Sequence, residues 1–547
     1  MRWIPILTAA LVLHLLLAFP NRIEAVAPAA FLRLTVELPL VLLALAVLPL
    51  RWRGPFRIGL VLLAALLAAL KIADMASHAA LARPFHPLLD LHLAAAAWEL
   101  LSGAIGLPGA LLAAAALAAL LAATVFAVAH ATAALAHALP PPGRVRTRPA
   151  LAGLWLALLG AAAAAVALPP PPASAGILLY DRAATTATAI GDLRDLRREA
   201  AVDAFAGIPD DRLLARLAGR DVLIVFIESY GRSAMEDARY APTVLPALDA
   251  LETAAAAAGY GIRSGWLTAP MVGGQSWLAH GTLLSGLWID GQRRYDSLVA
   301  GEPRSLVRDF GRAGWRTAAV MPAITAPWPE GLQFGFDRIH AAADLGYAGE
   351  PFNWVTMPDQ FTLAALHRRE LDLPGRPPVM TKIALISSHA PWTPIPPVLD
   401  WDVIGDGSVF TPYALSGDPP AVVWRDAERV RRQYVLSVDY VLRTLAAYVE
   451  TYGRDDLVLV LLGDHQPAPL VTGADASFDV PAHILAADAV IGALDGWNWS
   501  EGARPGAAPV WRMDAFRERF LTAFTPPADT ISRLVPATAT APRSARN

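Results

Sequence analysis

The chain divides into two stretches with different hydrophobic patterns. Up to about residue 168 it is nearly all Ala, Leu and Val, and charged and aromatic residues return beyond that point. A helix needs roughly 20 apolar residues to cross the hydrocarbon core of a bilayer. The candidate runs are apolar all round, which disfavours the buried helices of a soluble bundle. Five membrane spans are predicted, at about 4–20, 31–50, 57–74, 108–138 and 150–168.

The first span is either a cleaved signal peptide or a membrane anchor. Four more spans follow it and no small-residue cleavage site closes it, so we expect an anchor. Arginines in the connections set the orientation, because cytoplasmic loops are enriched in basic residues. They lie in two clusters, one after the second span and one after the fourth: Arg51, Arg53, Arg57, Arg144, Arg146 and Arg148. Both clusters are cytoplasmic if the N-terminus is inside.

Five crossings place everything after residue 168 outside the cytoplasm. The pattern therefore predicts a multi-pass membrane protein with a domain outside the cytoplasm. The loop at 75–107 faces the same side, and we expect it to include a helix along the membrane surface. Residues 169–176 form a stiff Pro-rich linker, and the tail at 529–547, rich in Thr, Ala, Pro and Ser, is expected to be disordered.

The outer domain, residues 177–528, alternates short apolar runs with helical patterns. Strands are predicted in "DVLIVFIES", "WRTAAVMP", "TKIALISS", "DLVLVLLG" and "DVPAHILAAD", and a long helix at about 426–452. Short runs rich in β-branched residues suit buried parallel strands. This alternation favours an α/β fold with a mainly parallel central sheet covered by helices on both faces.

Three of the predicted strands run into residues of catalytic type. Glu228 ends the first, His389 follows the third, and Asp464 and His465 end the fourth. Because ligands bind outside the carboxyl ends of parallel strands, these side chains are expected to meet at one edge of the sheet. Sequence separations of about 160 and 75 residues do not prevent this.

The Asp464–His465 pair in "GDHQP" indicates a divalent metal site. A carboxylate beside an imidazole suits Mn²⁺ or Zn²⁺, with Mg²⁺ and Ca²⁺ as further options. The alternative is a solvated turn with Asp464 capping the next segment. Glu228 favours the metal, because a carboxylate buried at a strand end without a cation is costly. The chain has no cysteine, which excludes disulfides and thiolate sites.

Ser276 stands in "GGQSWLAHGTLLSG", at a glycine turn ahead of a helix. The spacing resembles the sulfatase motif, Cys or Ser, x, Pro, Ser, Arg, x, x, Leu, Leu, Thr, Gly. Leu283, Leu284, Ser285 and Gly286 fall in register with its end, and 241–265 resembles the segment that opens the first helix of that superfamily. The chain thus resembles the alkaline-phosphatase/sulfatase superfamily.

Departures from the sulfatase pattern narrow the resemblance. Leu278 and His280 replace the Pro and Arg, so conversion of Ser276 to formylglycine is not expected. A single Glu228 stands where sulfatases have adjacent aspartates. The combination of one Glu, one hydroxyl and Asp-His resembles that of lipoteichoic acid synthases and phosphoethanolamine transferases, which are five-span proteins with an outer catalytic domain. The resemblance implies a bacterial-type inner membrane, with the catalytic domain on the periplasmic or extracellular side. Their nucleophile is usually Thr; Thr282, six residues further along, is a weaker candidate than Ser276.

The resemblance implies a metal held by Glu228, Ser276, Asp464 and His465. It further implies that Ser276 attacks the phosphorus of a phospholipid head group and that a glycan or lipid acceptor then takes the group. His389 matches the family histidine that binds phosphate or protonates the leaving group. Four more residues are candidate substrate contacts: His280, Arg232, Trp354 and His483, with Asp359 shaping the pocket. Each of these residues has an alternative interpretation without a role in catalysis, as a side chain that packs in the core or lies on the surface.

Other functions stay open at this point. A membrane-bound sulfatase or phosphodiesterase would use the same residues with water as the acceptor. A non-catalytic envelope sensor or scaffold could retain the fold. A transporter is disfavoured because the spans lack paired charges facing one another. A net charge of -3 without a basic patch gives no argument for nucleic acid.

Overall fold

The computed structural model describes residues 4–31, 35, 37–81, 83–87, 90, 93–138, 175–301, 303–325 and 328–527. They belong to two compact units. One lies within Met1–Asp195 and Ala468–Ala474, and the other within Leu196–Pro467 and Asp475–Asn547.

The first unit is helical. Its helices are α1 (Ile4–Ala18), α2 (Pro28–Phe31), α3 (Glu37–Val47), α4 (Leu50–Leu81) and α5 (Leu93–Ala138), and α6 (Ala175–Ala200) contains the unit boundary. Within the described residues, α4 and α5 are long and apolar enough to cross a membrane, and α1 is a shorter apolar helix. In the described part of the second predicted span, the main helix is the 11-residue α3. The fifth span and the arginines at 144–148 lie outside the described residues.

Two details of this unit refine the predicted spans. Gly106, with φ 74°, breaks α5 just before the predicted start of the fourth span, so a separate helical segment precedes that span, within the loop for which a helix was predicted. The third predicted span contains two charged residues, Lys71 and Asp74, which are buried in α4. Lys71 Nζ donates to the carbonyls of Leu16, Leu17 and Phe19 and so caps the end of α1. Asp74 pairs with Arg182 at 2.6 Å.

The second unit contains a sheet of nine strands. They are β1 (Asp221–Ile227), β2 (Tyr260–Thr268), β3 (Arg316–Met321), β4 (Arg338–Ala341), β5 (Val379–Leu385), β6 (Leu457–Gly463), β7 (Asp479–Ala487), β8 (Ser500–Glu501) and β9 (Val510–Arg512). The order is β4-β3-β5-β1-β6-β7-β2-β8, with β9 on β2. The five strands at one end of this order, β4-β3-β5-β1-β6, run parallel to one another. Strand β7 is antiparallel to both of its neighbours, β6 and β2, and β8 is antiparallel to β2.

Helices connect these strands. They are α7 (Ser233–Glu236), α8 (Ala241–Ala257), α9 (Ser276–Ser285), α10 (Gln292–Val299), α11 (Leu306–Arg312), α12 (Glu330–Phe334), α13 (Ala342–Leu345), α14 (Asp359–Leu366), α15 (Thr411–Ala414), α16 (Pro420–Val423), α17 (Ala427–Tyr452), α18 (Pro469–Thr472), α19 (Asp488–Ile491) and α20 (Ala515–Phe524). Short 3-10 turns lie at Ile23–Ala25, Ala215–Leu217, Trp401–Val403, Ser408–Phe410 and Gly492–Trp497, and one π turn at His367–Leu371. By chain segment, α18 belongs to the first unit.

The predicted strands and the long helix are confirmed, and the sheet is mostly parallel. Six apolar residues recur at helical spacing in this stretch of the sequence, and all six are buried in α17: Val430, Tyr434, Val438, Val441, Leu445 and Tyr448. The antiparallel part is a feature that the strand–helix alternation did not indicate, and β2 was not predicted. The order β5-β1-β6 places the three strands that lead into candidate catalytic residues side by side, as expected.

Candidate active site

Two adjacent strands deliver Glu228 and Asp464 at the same level. Ile227, the last residue of β1, is in register with Gly463, the last residue of β6. The next residues along the two strands are therefore neighbours at the carboxyl edge. The Asp464 N–H still donates to the Ile227 carbonyl at 3.3 Å, and the Glu228 N–H to Leu385 of β5 at 3.1 Å. Both acidic residues thus leave the sheet from fixed backbone positions.

Glycines let the two exit turns approach each other closely. A Cβ at Gly463 would lie 1.8 Å from the carbonyl oxygen of Tyr230. A Cβ at Gly231 would lie 1.8 Å from Gln466 Oε1 and 2.9 Å from its Cα. Neither position accepts a side chain without moving the turn. The glycines therefore set the spacing between the residues after β1 and those after β6.

Ser276 is the first residue of α9 and follows a strained turn. Gly273, Gly274 and Gln275 have φ of 79°, 144° and 65°, the last an uncommon value for a residue with a side chain. This backbone places the hydroxyl at the helix N-terminus, where the helix dipole favours negative charge. Ser276 Oγ donates to Glu228 Oε2 at 2.8 Å and lies 3.2 Å from His465 Nε2.

The four predicted metal ligands come together. Glu228, Asp464 and His465 each offer a ligand atom, all within 4.8 Å of one another, and all three side chains are buried. His465 Nε2 lies 3.1 Å from Glu228 Oε1 and 3.9 Å from Asp464 Oδ1. Among the described residues no Lys or Arg forms an ion pair with either carboxylate. Two buried carboxylates, one imidazole and one hydroxyl therefore fit a divalent cation.

Neighbouring groups hold the ligands in orientation. Asp464 Oδ1 accepts hydrogen bonds from the backbone N–H of Ser229 at 2.8 Å and of His465 at 2.7 Å. Ser229 Oγ donates to Glu228 Oε1 at 3.0 Å. His465 Nδ1 lies 2.8 Å from the Gln466 carbonyl, which can only accept, so Nδ1 carries a proton and Nε2 faces the cluster. This is the support that metal-binding imidazoles usually have.

Burial and the neighbouring charges shift the pKa values of all three residues of the cluster. Burial raises the pKa of Asp464, and the charge of Glu228 raises it further, to about 8. Burial lowers the pKa of His465, but the charges of Asp464 and Glu228 outweigh it and raise that pKa to about 9. Burial would raise the pKa of Glu228, yet the charge of His465 holds it below its usual range. Asp464 and His465 thus retain protons that a cation would displace.

His389 and Trp354 lie together beside the cluster's backbone. Their rings stack with centroids 3.9 Å apart and planes 20° apart. His389 Nδ1 is 2.5 Å from the Ala390 carbonyl, so Nδ1 carries the proton and Nε2 is the free ring atom. The preceding residue, Ser388, donates to the Glu228 carbonyl at 2.5 Å. Trp354 is 40% exposed.

Asp359 holds the segment that carries His389. Its Oδ1 accepts from the backbone N–H of Ile386 at 2.7 Å and of Ser387 at 3.1 Å, and Ser387 Oγ accepts from the Asp359 N–H at 2.9 Å. The side chain is fully buried. Asp359 therefore fixes the turn that follows β5, a more definite role than the pocket lining expected for it.

His280 is buried one helical turn after Ser276. Its Nδ1 lies 3.0 Å from Nζ of Lys382, a residue that the sequence analysis did not consider. Lys382 stands in the middle of the central strand β5 and is 1% exposed. A lysine inside an otherwise apolar strand run was the available sign, since lysine is almost never fully buried without a partner.

Arg232, His483 and Thr282 form hydrogen bonds or ion pairs with residues outside the acidic cluster. Arg232 pairs with Glu236 at 2.7 Å and Asp479 at 3.0 Å. His483 is fully buried, with Nδ1 2.7 Å from Ser264 Oγ and Nε2 3.3 Å from the Tyr230 hydroxyl. The Thr282 hydroxyl donates to the Leu278 carbonyl and accepts from the Ile289 N–H, within its own helix and the following turn. The structure gives none of the three a contact with Ser276 or the acidic cluster.

The similarity of this chain to known proteins was found at the level of solved structures. No family model matches it, and neither does any curated protein. Solved structures similar to it include the lipoteichoic acid synthase LtaP from Listeria monocytogenes, with 15% identity, 62% of this chain and 78% of that chain covered, and a TM-score of 0.40.

Two further similar structures are of related kinds. A protein in the alkaline phosphatase superfamily from Vibrio parahaemolyticus shows 15% identity, coverage of 61% and 74%, and a TM-score of 0.38. The Streptococcus pyogenes phosphoglycerol transferase GacH, in complex with sn-glycerol-1-phosphate, shows 12% identity, coverage of 61% and 91%, and a TM-score of 0.37. At such distances these structures assign no activity, which must come from the site itself.

Proposed function

We propose that this chain is a metal-dependent membrane phosphotransferase. It would move a phospholipid head group, of phosphoglycerol or phosphoethanolamine type, through a covalent phospho-Ser276 to an envelope glycan or lipid acceptor. One observation supports this above the others. A single helix-terminal hydroxyl lies 2.8 Å from Glu228 and 3.2 Å from His465, inside a buried cluster that fits a divalent cation.

Glu228, Asp464, His465 and Ser276 would hold the cation. Their oxygen and imidazole donors suit Mn²⁺ or Zn²⁺. When bound, the cation supplies charge neutralisation at the phosphate and lowers the pKa of the serine hydroxyl. The pre-existing hydrogen bond from Ser276 to Glu228 already directs the hydroxyl hydrogen away from the solvent side.

The transfer proceeds in two displacements. In the first, Ser276 Oγ gives up its proton and forms a bond to phosphorus, the bond from phosphorus to the diacylglycerol oxygen breaks, and that oxygen takes up one proton, so the step consumes no net proton. In the second, an acceptor hydroxyl forms the new bond to phosphorus and Ser276 Oγ leaves with a proton. The position of Ser276 at the N-terminus of α9 favours the negative charge that its oxygen carries in both steps.

His389 is the proposed proton donor or phosphate ligand for these steps. Its Nδ1 is occupied by a backbone carbonyl, which leaves Nε2 for the substrate. The stacked Trp354 restricts the ring's rotation and adds an apolar surface that a lipid-linked group can contact. Arg232 is not included, because two carboxylates already bind its guanidinium.

The apolar helices of the first unit are consistent with this chemistry. A phospholipid donor stays in the bilayer, and an enzyme anchored in the same bilayer meets it at a high effective concentration. The helices α4 and α5 are long enough for such an anchor. A membrane-bound phosphodiesterase or sulfatase would place the same residues around water as the acceptor, and a scaffold would not need the reactive serine.

The test uses the full chain in vesicles of labelled phospholipid with Mn²⁺ or Zn²⁺. We expect a head-group phosphate adduct on the peptide containing Ser276, release of diacylglycerol, and loss of both in Ser276→Ala. Thr282→Ala is the matched control on the same helix and should keep the adduct. Release of the free head-group phosphate without any acceptor product would favour the hydrolase. No adduct and no diacylglycerol with any head group would contradict the transferase.

A further inference from the structure

A lysine and a histidine form a buried pair behind the nucleophile. Lys382 Nζ lies 3.0 Å from His280 Nδ1 and 2.7 Å from Met321 Sδ. Its other neighbours are the aromatic rings of Phe226 and Trp328, with centroids 5.5 Å and 5.9 Å from Nζ. Among the described residues Lys382 forms no ion pair. Burying an amine this deeply is costly, and core packing alone gives no reason for it.

The pair leaves one polar atom of His280 without a partner. His280 is 9% exposed, and its Nε2 has no hydrogen-bond partner among the described residues. Burial and the nearby Lys382 hold the pKa of His280 well below its usual range, so the ring is neutral and exists as one of two tautomers. Burial lowers the pKa of Lys382 to about 7. In its ammonium form Lys382 can only donate and the Met321 sulfur can only accept, so in that form Nδ1 of His280 is the acceptor. The ring proton must then lie on Nε2, as an unused donor.

His280 lies one helical turn after Ser276, on the same face of α9. Residues four apart on a helix share a face, with Cβ atoms roughly 5–6 Å apart, and helical side chains lean towards the N-terminus. His280 therefore leans towards the turn that begins at Ser276. Its ring also interacts electrostatically with Glu228 and His465, two residues of the cluster. On its other side it contacts the Phe226 ring, with centroids 4.1 Å apart.

We propose that Lys382 and His280 form a donor pair for the phosphoryl group carried on Ser276. Lys382 donates to His280 Nδ1 and so keeps the proton on Nε2, and this Nε2–H donates to a phosphoryl oxygen. Lys382 is a positioning residue that acts through His280. The inference rests on the proposed function, because the acceptor oxygen comes with the group bound to Ser276.

The test compares two replacements of His280 in the full chain. A glutamine side-chain amide can take the position of Nε2 and donate there, whereas an asparagine amide reaches only the position of Nδ1. We expect His280→Asn to reduce the rate of Ser276 phosphorylation by about 100-fold, the typical effect of removing one donor at a reacting oxygen. His280→Gln should lose no more than about fivefold. Inorganic phosphate binding in the presence of Mn²⁺ should weaken in the same order.

Lys382 is tested in both backgrounds. Lys382→Met keeps the length and removes the donor, so the His280 proton is free to move to Nδ1, and phosphorylation should fall by about 10-fold. In the His280→Gln background the same change should have little further effect, because an amide has no tautomer to fix. Equal losses in both backgrounds would show that Lys382 only packs the core and would overturn the pair. Melting curves of all variants show whether they are folded.

Phosphate binding separates the two proposals. If the wild-type chain forms no adduct on Ser276 yet binds phosphate, and His280→Asn weakens that binding while His280→Gln does not, the transferase proposal fails, and the donor pair holds only for a non-covalently bound phosphate. If the adduct forms and His280→Asn matches His280→Gln in both measurements, the donor pair fails and the transferase stands.

Discussion

The acidic cluster is arranged for a cation at some cost to the stability of the metal-free protein. Glu228 and Asp464 are both buried beside a single imidazole, and the pKa of Asp464 is raised to about 8 by burial and by the charge of Glu228. A structure selected for stability alone would replace one carboxylate with a neutral side chain. The retained pair is typical of a binding site whose ligand supplies the balancing charge.

Metal addition should therefore raise the melting temperature, and Asp464→Asn should abolish the rise. A ligand at about 100 times its Kd stabilises by about 2.7 kcal/mol, which shifts the melting temperature of a domain of this size by roughly 4 °C. Metal-free Asp464→Asn should melt no lower than metal-free wild type, since a neutral amide replaces a carboxyl group that the folded chain must keep protonated at neutral pH. The measurement is a thermal melt of the EDTA-treated full chain with Mn²⁺, Zn²⁺, Mg²⁺ or Ca²⁺. A full shift in Asp464→Asn would contradict the predicted ligand set.

Asp359 should make stability depend on pH. Burial raises its pKa to about 7, although backbone N–H groups of Ile386 and Ser387 oppose this. A raised carboxyl pKa means that the folded chain holds a proton that the unfolded chain has released. The free energy of unfolding, compared with that of Asp359→Asn, should thus fall as pH rises from about 4 to about 7. The loss is at most about 4 kcal/mol, at about 1.4 kcal/mol per pKa unit.

The comparison with Asp359→Asn isolates this effect from the other titrating groups. Denaturant unfolding of the two proteins at several pH values gives the difference directly. If the unfolding free energy of wild type minus that of Asp359→Asn stays constant from about pH 4 to about pH 7, or increases with pH, the backbone N–H groups keep Asp359 ionised. His389 would then follow a turn held by a charge rather than by a neutral acid.

At the scale of elements, the strand order explains why the site could be predicted from sequence. Glu228, Asp464 and His465 follow apolar strand runs, and the parallel order β5-β1-β6 brings strand ends to one edge. Ser276 was identified by its motif. Lys382 and the hydrogen bonds of Asp359 could not be predicted, because they depend on which side chain of a strand faces which helix or turn. The same limit applies to His483, whose partners Ser264 and Tyr230 belong to distant elements.

The mixed part of the sheet was missed for a related reason. The strand β2 contains Arg263, Ser264 and Gly265 and lacks the continuous apolar run of β1 or β6. Its pairing with β7 over the full length of both strands supplies the stability that its composition does not. Tertiary pairing therefore decided this element, as is common for β structure.

The exit turn after β6 should tolerate no side chain at its glycine. In Gly463→Ala the new Cβ would meet the Tyr230 carbonyl at 1.8 Å, so one of the two turns must move. We expect a loss of about 1–3 kcal/mol of stability or more, and a metal-induced melting shift much smaller than in wild type. Gly311→Ala, with nothing within 4 Å of its Cβ, is the control and should keep the full shift. A Gly463→Ala protein with normal metal binding would show that the turn spacing does not position Asp464.

At the scale of the whole molecule, the number of membrane crossings decides whether the proposed substrate is accessible. The described part of the first unit contains two helices long enough to span, α4 and α5, and the shorter α1 and α3. An odd number of crossings from a cytoplasmic N-terminus puts the second unit outside, where envelope glycans are. An even number puts it in the cytoplasm.

Single cysteines can settle the topology, because the chain contains none of its own. In spheroplasts an impermeant maleimide should label Pro84→Cys and Asp455→Cys, which are exposed positions in the predicted outer loop and the second unit. Arg51→Cys, also exposed, and Gly143→Cys should react only after permeabilisation. Labelling of Asp455→Cys before permeabilisation and of Gly143→Cys only after it would show that the chain crosses the membrane between these two positions. The predicted fifth span, 150–168, lies between them. Labelling of both cysteines from the same side would contradict a membrane span at 150–168. Labelling of Asp455→Cys only after permeabilisation would place the second unit in the cytoplasm and exclude an envelope acceptor.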